Sequence, residues 1–275
     1  MRIAELEHMF GMTLFHRTTR RVRISDQGNL LYLHAQRVLE DVDDMNNVMS
    51  STKTDLSGPL HVSASPLLAR QCVCPLLCMF GIQFPNLDIW VESYSKPFDL
   101  IEEGIDIDIR SGRPAEPHLI PHHVLKSDRI LCAAPSYLGR RGYPSTVADL
   151  VNHDCLFYRE RDQPTGIWSL DGPQGVETIK VTAHVGSNES ELLRVMALNG
   201  YGILLFSEWV VAEAIQKGQL IHLLPAYSQS ADVWAVTTTR SANAAKVHRS
   251  LEFLIQQLRE GPFALKRVKE HRSVN

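Results

Sequence analysis

Six apolar residues between positions 31 and 49 repeat with a period of 3.5 residues. The intervals between them are four, three, four, three and four, and the residues that separate them are mostly polar or charged. The six are Leu31, Ala35, Val38, Val42, Met45 and Met49. Because a strict 3.5-residue period keeps one seam against a neighbouring helix, the pattern predicts a linker helix over residues 26–50 that pairs with a second copy of the chain. An amphipathic helix packed against its own domain is the alternative.

Arginine is concentrated in residues 1–25, before the predicted helix. Five arginines stand against two acids there, so this segment carries +3, and the remaining residues must carry −6 for the chain to reach −3. The five are Arg2, Arg17, Arg20, Arg21 and Arg23. Two short extended runs flank Thr18-Thr19 and predict a hairpin whose arginines contact the phosphates of a nucleic acid. A solvated charge cluster is the alternative.

Beyond a polar hinge over residues 51–58, strand and helix patterns alternate. The sequence predicts strands at 60–64, 87–91 and 105–109, a helix at 66–83 that kinks or restarts at Pro75, and a helix at 97–103. Later segments predict strands at 155–158, 179–182, 203–206 and 233–236, and helices at 188–198, 207–217 and 242–260. This order is typical of an α/β domain with a largely parallel sheet.

Several motifs, in this order, give the chain a family resemblance. Residues 2–7, 11–17 (Gly-Met-Thr-Leu-Phe-His-Arg) and 21–28 resemble the second half of the winged helix-turn-helix of LysR-type transcriptional regulators. Residues 98–110 resemble the Asp-Leu-x-x-Glu-Gly-x-Asp-x-x-Ile-Arg segment of that family. Ala134-Pro135-Ser136-Tyr137-Leu138 and Gly200-Tyr201-Gly202-Ile203 follow in the expected positions, so the resemblance covers essentially the whole chain.

The resemblance implies an α/β fold in which a partial winged helix and linker helix precede a two-subdomain domain like the periplasmic-binding proteins of type II. The implied parts are a partial winged helix-turn-helix at 1–25, the linker helix at 26–50, the hinge at 51–58, effector subdomain I at 59–129 and 230–262, subdomain II at 130–229, and a tail at 263–275. It also implies a cytoplasmic regulator that binds double-stranded DNA and a small-molecule effector and assembles as a dimer or tetramer.

The first residues correspond to the middle of the family's recognition helix. Most positions that would enter the major groove are therefore expected to be missing, and DNA binding by these 275 residues is expected to be weak or lost. The arginines of the predicted hairpin remain, and phosphate contacts position a protein without reading bases.

The effector is expected where strands end and helices begin, between the two subdomains. The candidate contacts are Ser63, Ser65, Tyr94, Lys96, Arg110, Ser111, Ser187 and Asn188. Free backbone N–H groups at helix starts favour an anion, although Glu189 argues against a strongly acidic one. Simple helix capping by the serines and by Asn188, paired with Glu191, is the alternative, and Arg110 could pair with an acid.

No catalytic, phosphate-binding or common zinc motif is found, so the chain is expected to be no enzyme and to need no cofactor or metal. Cys72, Cys74 and Cys78 are interpreted as buried helix thiols, and His118, His122 and His123 as part of a solvated strand rather than a metal site. No run of eighteen apolar residues predicts a membrane span, and no signal peptide is evident. The alternative function is a cytosolic solute-binding module without DNA activity.

Overall fold

The computed structural model describes residues 3–17, 22–32, 34–35, 38, 42, 56–94, 98–158, 166–181, 185–239, 241–261 and 264–265. The side chains of Ala4, Arg17, Val22 and Asn243 lie outside this description.

A helix and a hairpin form the N-terminal unit. Helix α1 spans Ile3–Phe10 and ends at Gly11, whose φ of 65° suits the predicted glycine cap. Strands β1 (Phe15–Arg17) and β2 (Val22–Ile24) pair antiparallel, with Phe15 opposite Ile24, which confirms the predicted hairpin.

Helix α2 is described at residues 26–32, 34, 35, 38 and 42. Ser25 begins it, because its hydroxyl accepts the backbone N–H of Gly28 at 2.9 Å while donating to the carbonyl of Thr13. Of the predicted seam, Leu31 is half-buried, whereas Ala35, Val38 and Val42 are exposed. Met45 and Met49 lie outside the described residues.

Subdomain I is built on a five-stranded sheet of order β4-β3-β5-β15-β6. Its strands are β3 (Gly58–Ala64), β4 (Leu87–Ser93), β5 (Ile107–Ser111), β6 (Leu119–Leu125) and β15 (Val233–Thr238). Strand β3 runs parallel to β4 and β5, and β15 runs antiparallel to its two neighbours. Alternate residues of β3 and β5 face a core shared with two long helices.

The first of these helices runs from residue 66 to residue 83 with a wide turn in the middle. It consists of α3 (Pro66–Leu68), a π-helical turn (Ala69–Val73) and α4 (Cys74–Gln83), and Pro75 lies in the first turn of α4. A restart of the helix at Pro75 is one of the two outcomes that the sequence predicts. The run is long and apolar enough to cross a membrane, but its apolar composition is explained by packing, because Val73, Leu76 and Phe80 lie in the core.

The second is α8 (Ala245–Glu260), which follows a short 3₁₀ turn (Ser241–Asn243). The predicted helix at 97–103 is wrong. Residues 100–104 form a turn, because Asp99 accepts the N–H groups of Ile101 and Glu102 and Gly104 adopts a φ of 67° within one turn.

Subdomain II is built on a six-stranded sheet of order β11-β8-β12-β7-β13, with β14 also paired to β7. The strands are β7 (Asp128–Ala133), β8 (Cys155–Tyr158), β11 (Val185–Ser187), β12 (Ile203–Ser207), β13 (Ile221–Leu223) and β14 (Gln229–Ser230). Helices α5 (Pro135–Arg141), α6 (Ser190–Leu198) and α7 (Glu208–Gln216) and a 3₁₀ helix (Val147–Asn152) complete it.

A separate antiparallel hairpin of β9 (Ile167–Gly172) and β10 (Gly175–Lys180) packs on subdomain II. The strand predicted at 179–182 is therefore misplaced, because it is the end of a longer hairpin strand. Residues 167–178 mix polar and glycine residues and gave no clear alternation.

The chain crosses between the two sheets twice, from β6 to β7 and from β14 to β15. Asp232 joins the two crossings: its carboxylate accepts the Ser127 N–H at 3.1 Å and contacts His123 Nε2 at 3.0 Å. Its carbonyl accepts the Gly112 N–H at 2.8 Å. The two crossings are thus held together by the Asp232 carboxylate and by the hydrogen bond from the Ala231 N–H to the Ser127 carbonyl at 2.8 Å.

Candidate functional site

A cleft opens where the two sheets face each other, and both subdomains and a crossing strand line it. Ser65 and Ser111 come from subdomain I, and Arg129 from the start of β7. Subdomain II contributes Tyr158, Ser190, Phe206, Ser207, Trp209 and Val210. The cavity holds about 30 Å³, which is room for one or two waters. The cleft is therefore narrow.

The polar groups of the cleft sit at strand-to-helix junctions. Ser65 precedes α3 and Ser207 precedes α7, and neither hydroxyl makes a capping hydrogen bond to its own helix. Ser190 is the first residue of α6. Arg129 is half-buried and donates from Nη1 to Gln229 Oε1 at 3.0 Å. Hydroxyls, helix-start N–H groups and a guanidinium together form an environment that suits a carboxylate.

The structure gives Ser63 a different role from the predicted effector contact. It is fully buried, and its hydroxyl donates to Asp108 Oδ1 at 2.6 Å. The other oxygen of Asp108 accepts from Arg110 Nε, so the acid anticipated for Arg110 is Asp108. This pair is almost wholly buried, yet Arg110 Nη2 has no hydrogen-bond partner among the described residues. A buried guanidinium nitrogen without an acceptor is costly.

Tyr94 also departs from its predicted role. Its hydroxyl donates to the carboxylate of Glu92, and its ring stacks on Phe98 with the centroids 4.1 Å apart. The hydrogen bond to Glu92 is the main cause that raises the pKa of Tyr94, with burial and the charge of Glu92 adding to it. The neighbouring candidate Lys96 lies outside the described residues.

The polar side chains of the loop before α6 hydrogen-bond within the loop and to the start of the helix. Ser187 accepts the Glu189 N–H at 2.9 Å, and Glu189 caps the helix by accepting the Glu191 N–H at 3.1 Å. The predicted capping pair of Asn188 and Glu191 is wrong, because Glu191 instead binds Arg194, which lowers the pKa of Glu191. Asn188 is exposed and does not belong to the cleft lining.

Sequence reasoning missed Arg129, Ser190, Ser207 and Trp209. Ser190 and Ser207 carried the same signal as Ser65, a serine where a strand gives way to a helix. Arg129 carried no such signal in the sequence, because its place in the cleft depends on the chain crossing from one sheet to the other. Trp209 lies in the first turn of α7, and its buried Nε1 has no hydrogen-bond partner within the described part of the chain.

Two of the five candidate phosphate contacts, Arg17 and Arg23, lie on the strands of the N-terminal hairpin. Arg23 is exposed on β2, opposite His16 of β1. Arg17 ends β1, and its side chain lies outside the described residues, as do Arg2, Arg20 and Arg21.

The interpretation of the cysteines and histidines needs correction. Cys72 is buried, and burial raises its pKa to about 11, but Cys74 and Cys78 are exposed. His122 contacts Thr237 Oγ1 at 3.1 Å and His123 contacts Asp232, so these two half-buried side chains are not simply solvated. Burial lowers the pKa of His122. Among the described residues no three His, Cys, Asp or Glu side chains cluster as a metal site.

Comparison with known proteins gives consistent matches along the chain. A family model described as the LysR substrate binding domain matches residues 53–259. The HTH-type transcriptional regulator DmlR of Escherichia coli (strain K12) is 40% identical over 259 residues, which cover 94% of this chain and 84% of DmlR. The HTH-type transcriptional activator TtdR of the same strain is 34% identical over 253 residues, covering 92% of this chain and 82% of TtdR.

Solved structures agree in fold. CrgA, a LysR-type transcriptional regulator from Neisseria meningitidis, superposes with a TM-score of 0.68 at 27% identity, over 94% of this chain and 88% of the CrgA chain. Its regulatory domain alone superposes with a TM-score of 0.63 over 74% of this chain.

Proposed function

This chain belongs to the LysR family of DNA-binding transcription regulators, and we propose that a small carboxylate bound in the central cleft controls its action on DNA. The observation that carries the proposal is the set of polar groups in the cleft. Three serines at helix starts line the same cavity as Arg129, and the hydroxyls of Ser65 and Ser207 are not engaged in capping.

The proposed contacts are Ser65, Ser111, Arg129, Ser190 and Ser207. Arg110 joins them through its unpartnered Nη2, which a ligand reaches once the cleft opens. The charge of Arg110 is already met by Asp108, which favours a ligand with one carboxylate rather than several.

A ligand of ordinary size needs several hundred Å³, and the cleft holds about 30 Å³. Binding therefore requires the subdomains to separate at the two crossings, and the bound ligand then holds them at a new spacing. Through that change of spacing, ligand binding in the cleft would alter the positions of the linker helix and the hairpin. In this scheme two copies pair through the seam of α2 in the cytoplasm, and the arginines of the hairpin grip DNA phosphates.

The experiment is a thermal-shift titration of the full chain with the monocarboxylates acetate, butyrate and benzoate. At least one of them should raise Tm of the wild type, because a ligand that binds the folded state alone stabilises it. Arg129→Met should abolish that rise. Lys180→Met is the matched control, since it removes an exposed cation of β10 outside the cleft lining and should respond as the wild type does.

Ser65→Trp provides a steric version of the same test. It places an indole at a half-buried position of the cleft lining and should remove the response, while circular dichroism of the unliganded variant should show that it remains folded. A full response in both Arg129→Met and Ser65→Trp would place the effector elsewhere.

A further inference from the structure

Two cysteines of α4 lie exposed on one stripe of that helix. Cys74 and Cys78 are four residues apart, so they share a face, whereas Val73, Leu76, Leu77 and Phe80 turn into the core. The stripe continues to the exposed residues Gln71 and Ile82. The thiols are close enough for the side chain of Cys78 to hydrogen-bond that of Cys74.

The spacing disfavours a disulfide between these two residues. Side chains at i and i+4 of a helix have Cβ atoms about 5–6 Å apart, whereas a disulfide needs about 3.5–4.5 Å. An ion between the sulfurs removes this conflict, since metal–sulfur bonds of about 2.3 Å allow the sulfurs to stand more than 4 Å apart. The two thiols are therefore better placed to bind one ion between them than to form a disulfide bond.

We propose that Cys74 and Cys78 form a two-thiolate site for a soft d¹⁰ metal ion, for which Cu(I) is the probe. Thiolate ligands select soft ions of this kind. Two ligands satisfy an ion that accepts linear coordination, whereas structural zinc takes four. Among the described residues no third His, Cys, Asp or Glu completes a cluster here, which argues against zinc.

The binding step displaces two protons. Cu(I) and two thiols give a bis-thiolate complex of charge −1 and two H⁺, with no change in oxidation state. Burial and the neighbouring thiol of Cys78 raise the pKa of Cys74. Because binding releases two protons, the affinity of the pair for Cu(I) must rise with pH.

The test is an anaerobic competition between the full reduced chain and the chromogenic Cu(I) chelator bicinchoninate. The wild type should withdraw one Cu(I) per chain and decolourise the chelator accordingly. Cys74→Ser and Cys78→Ser should each leave the Cu(I) on the chelator. Both positions are exposed, so circular dichroism should show an unchanged fold.

Cys132→Ser is the matched control, because it also removes one thiol but at a fully buried position on β7. It should withdraw Cu(I) as the wild type does, with folding checked in the same way. The proposal is overturned if the wild type leaves Cu(I) on the chelator, if the Cys74→Ser/Cys78→Ser double variant still binds, or if one ion is held per two chains.

Discussion

At the scale of single residues, the stability of the fold depends strongly on the buried trio of Ser63, Asp108 and Arg110. Asp108 is 1% exposed and is the described acceptor for both partners. Its removal would leave a guanidinium buried without a counter-charge, and the cost of such a loss exceeds that of deleting the whole pair.

We therefore expect Asp108→Ala to lower the free energy of unfolding by about 3–5 kcal/mol. The double variant Asp108→Ala/Arg110→Met should recover a substantial part of that loss, because it removes the orphaned charge as well. Urea denaturation of the two variants checks this. A double variant as unstable as the single one would show that the charge of Arg110 is not the source of the cost.

Gly28 is a second residue that the fold constrains, because there is no space for a side chain. A Cβ at this position would lie 2.1 Å from the carbonyl oxygen of Leu14, where α2 starts against the hairpin. Gly28→Ala should destabilise the N-terminal unit by about 1–3 kcal/mol, as overpacking usually does.

Gly139→Ala is the control for Gly28→Ala, since a Cβ there meets nothing within 4 Å and the position lies in α5. It should be neutral or slightly stabilising. Limited proteolysis of residues 1–30 reports the difference, and equal cleavage of both variants would contradict the prediction.

The candidate site shows which residues a sequence can identify. Ser65 and Ser111 could be placed at the cleft because the ends of strands can be recognised in a sequence. The hydrogen bond of Ser63 to Asp108 could not be predicted, because a strand's inward and outward residues differ only by register and Asp108 lies 45 residues away. Arg129 and Trp209 owe their places to tertiary packing alone.

At the scale of elements, the amphipathic and buried segments were predictable and the short ones were not. The hairpin, α8 and the longer strands of both sheets follow from apolar periodicity, whereas the short strands β11, β13 and β14 were not predicted. The segment 97–103 was predicted as a helix because its composition allows one, but Asp99 and Gly104 close it within a turn. Local capping, rather than propensity, decided that segment.

The exposed seam of α2 yields a prediction about assembly. Val38 and Val42 are 61% and 44% exposed, although their spacing is that of helix pairing. Val38→Asp/Val42→Asp should turn a dimer into a monomer, because charges in a coiled-coil seam lose apolar contact and repel their copies.

Light scattering after size exclusion measures that change. Leu30→Asp is the control, since Leu30 is 59% exposed and stands outside the seam; it should leave the dimer intact. A wild-type chain that is already monomeric, or a double variant that stays dimeric, would rule out the seam as the contact.

At the scale of the whole molecule, the two subdomains are joined by crossings that meet at Asp232. Asp232→Ala removes the acceptor of the Ser127 N–H and the contact to His123. Each lost bond to a charged acceptor is worth about 1.5–3 kcal/mol. Hydrogen exchange in residues 125–130 should therefore quicken by an order of magnitude or more.

Asp149→Ala is the control for Asp232→Ala, because it also removes an aspartate that accepts backbone N–H groups. Its partners, Ser145 and Thr146, lie within subdomain II. It should leave exchange at residues 125–130 unchanged. If Asp232→Ala also left it unchanged, Asp232 would have no part in fastening the crossings.

The narrowness of the cleft has a kinetic consequence. Since an interior of about 30 Å³ admits no organic effector, association must wait for a rarer, wider state of the protein, and the apparent dissociation constant is weakened by the fraction of molecules in that state. Stopped-flow traces at rising effector concentration should reach a plateau set by the protein's own opening rate rather than climb in proportion to the dose.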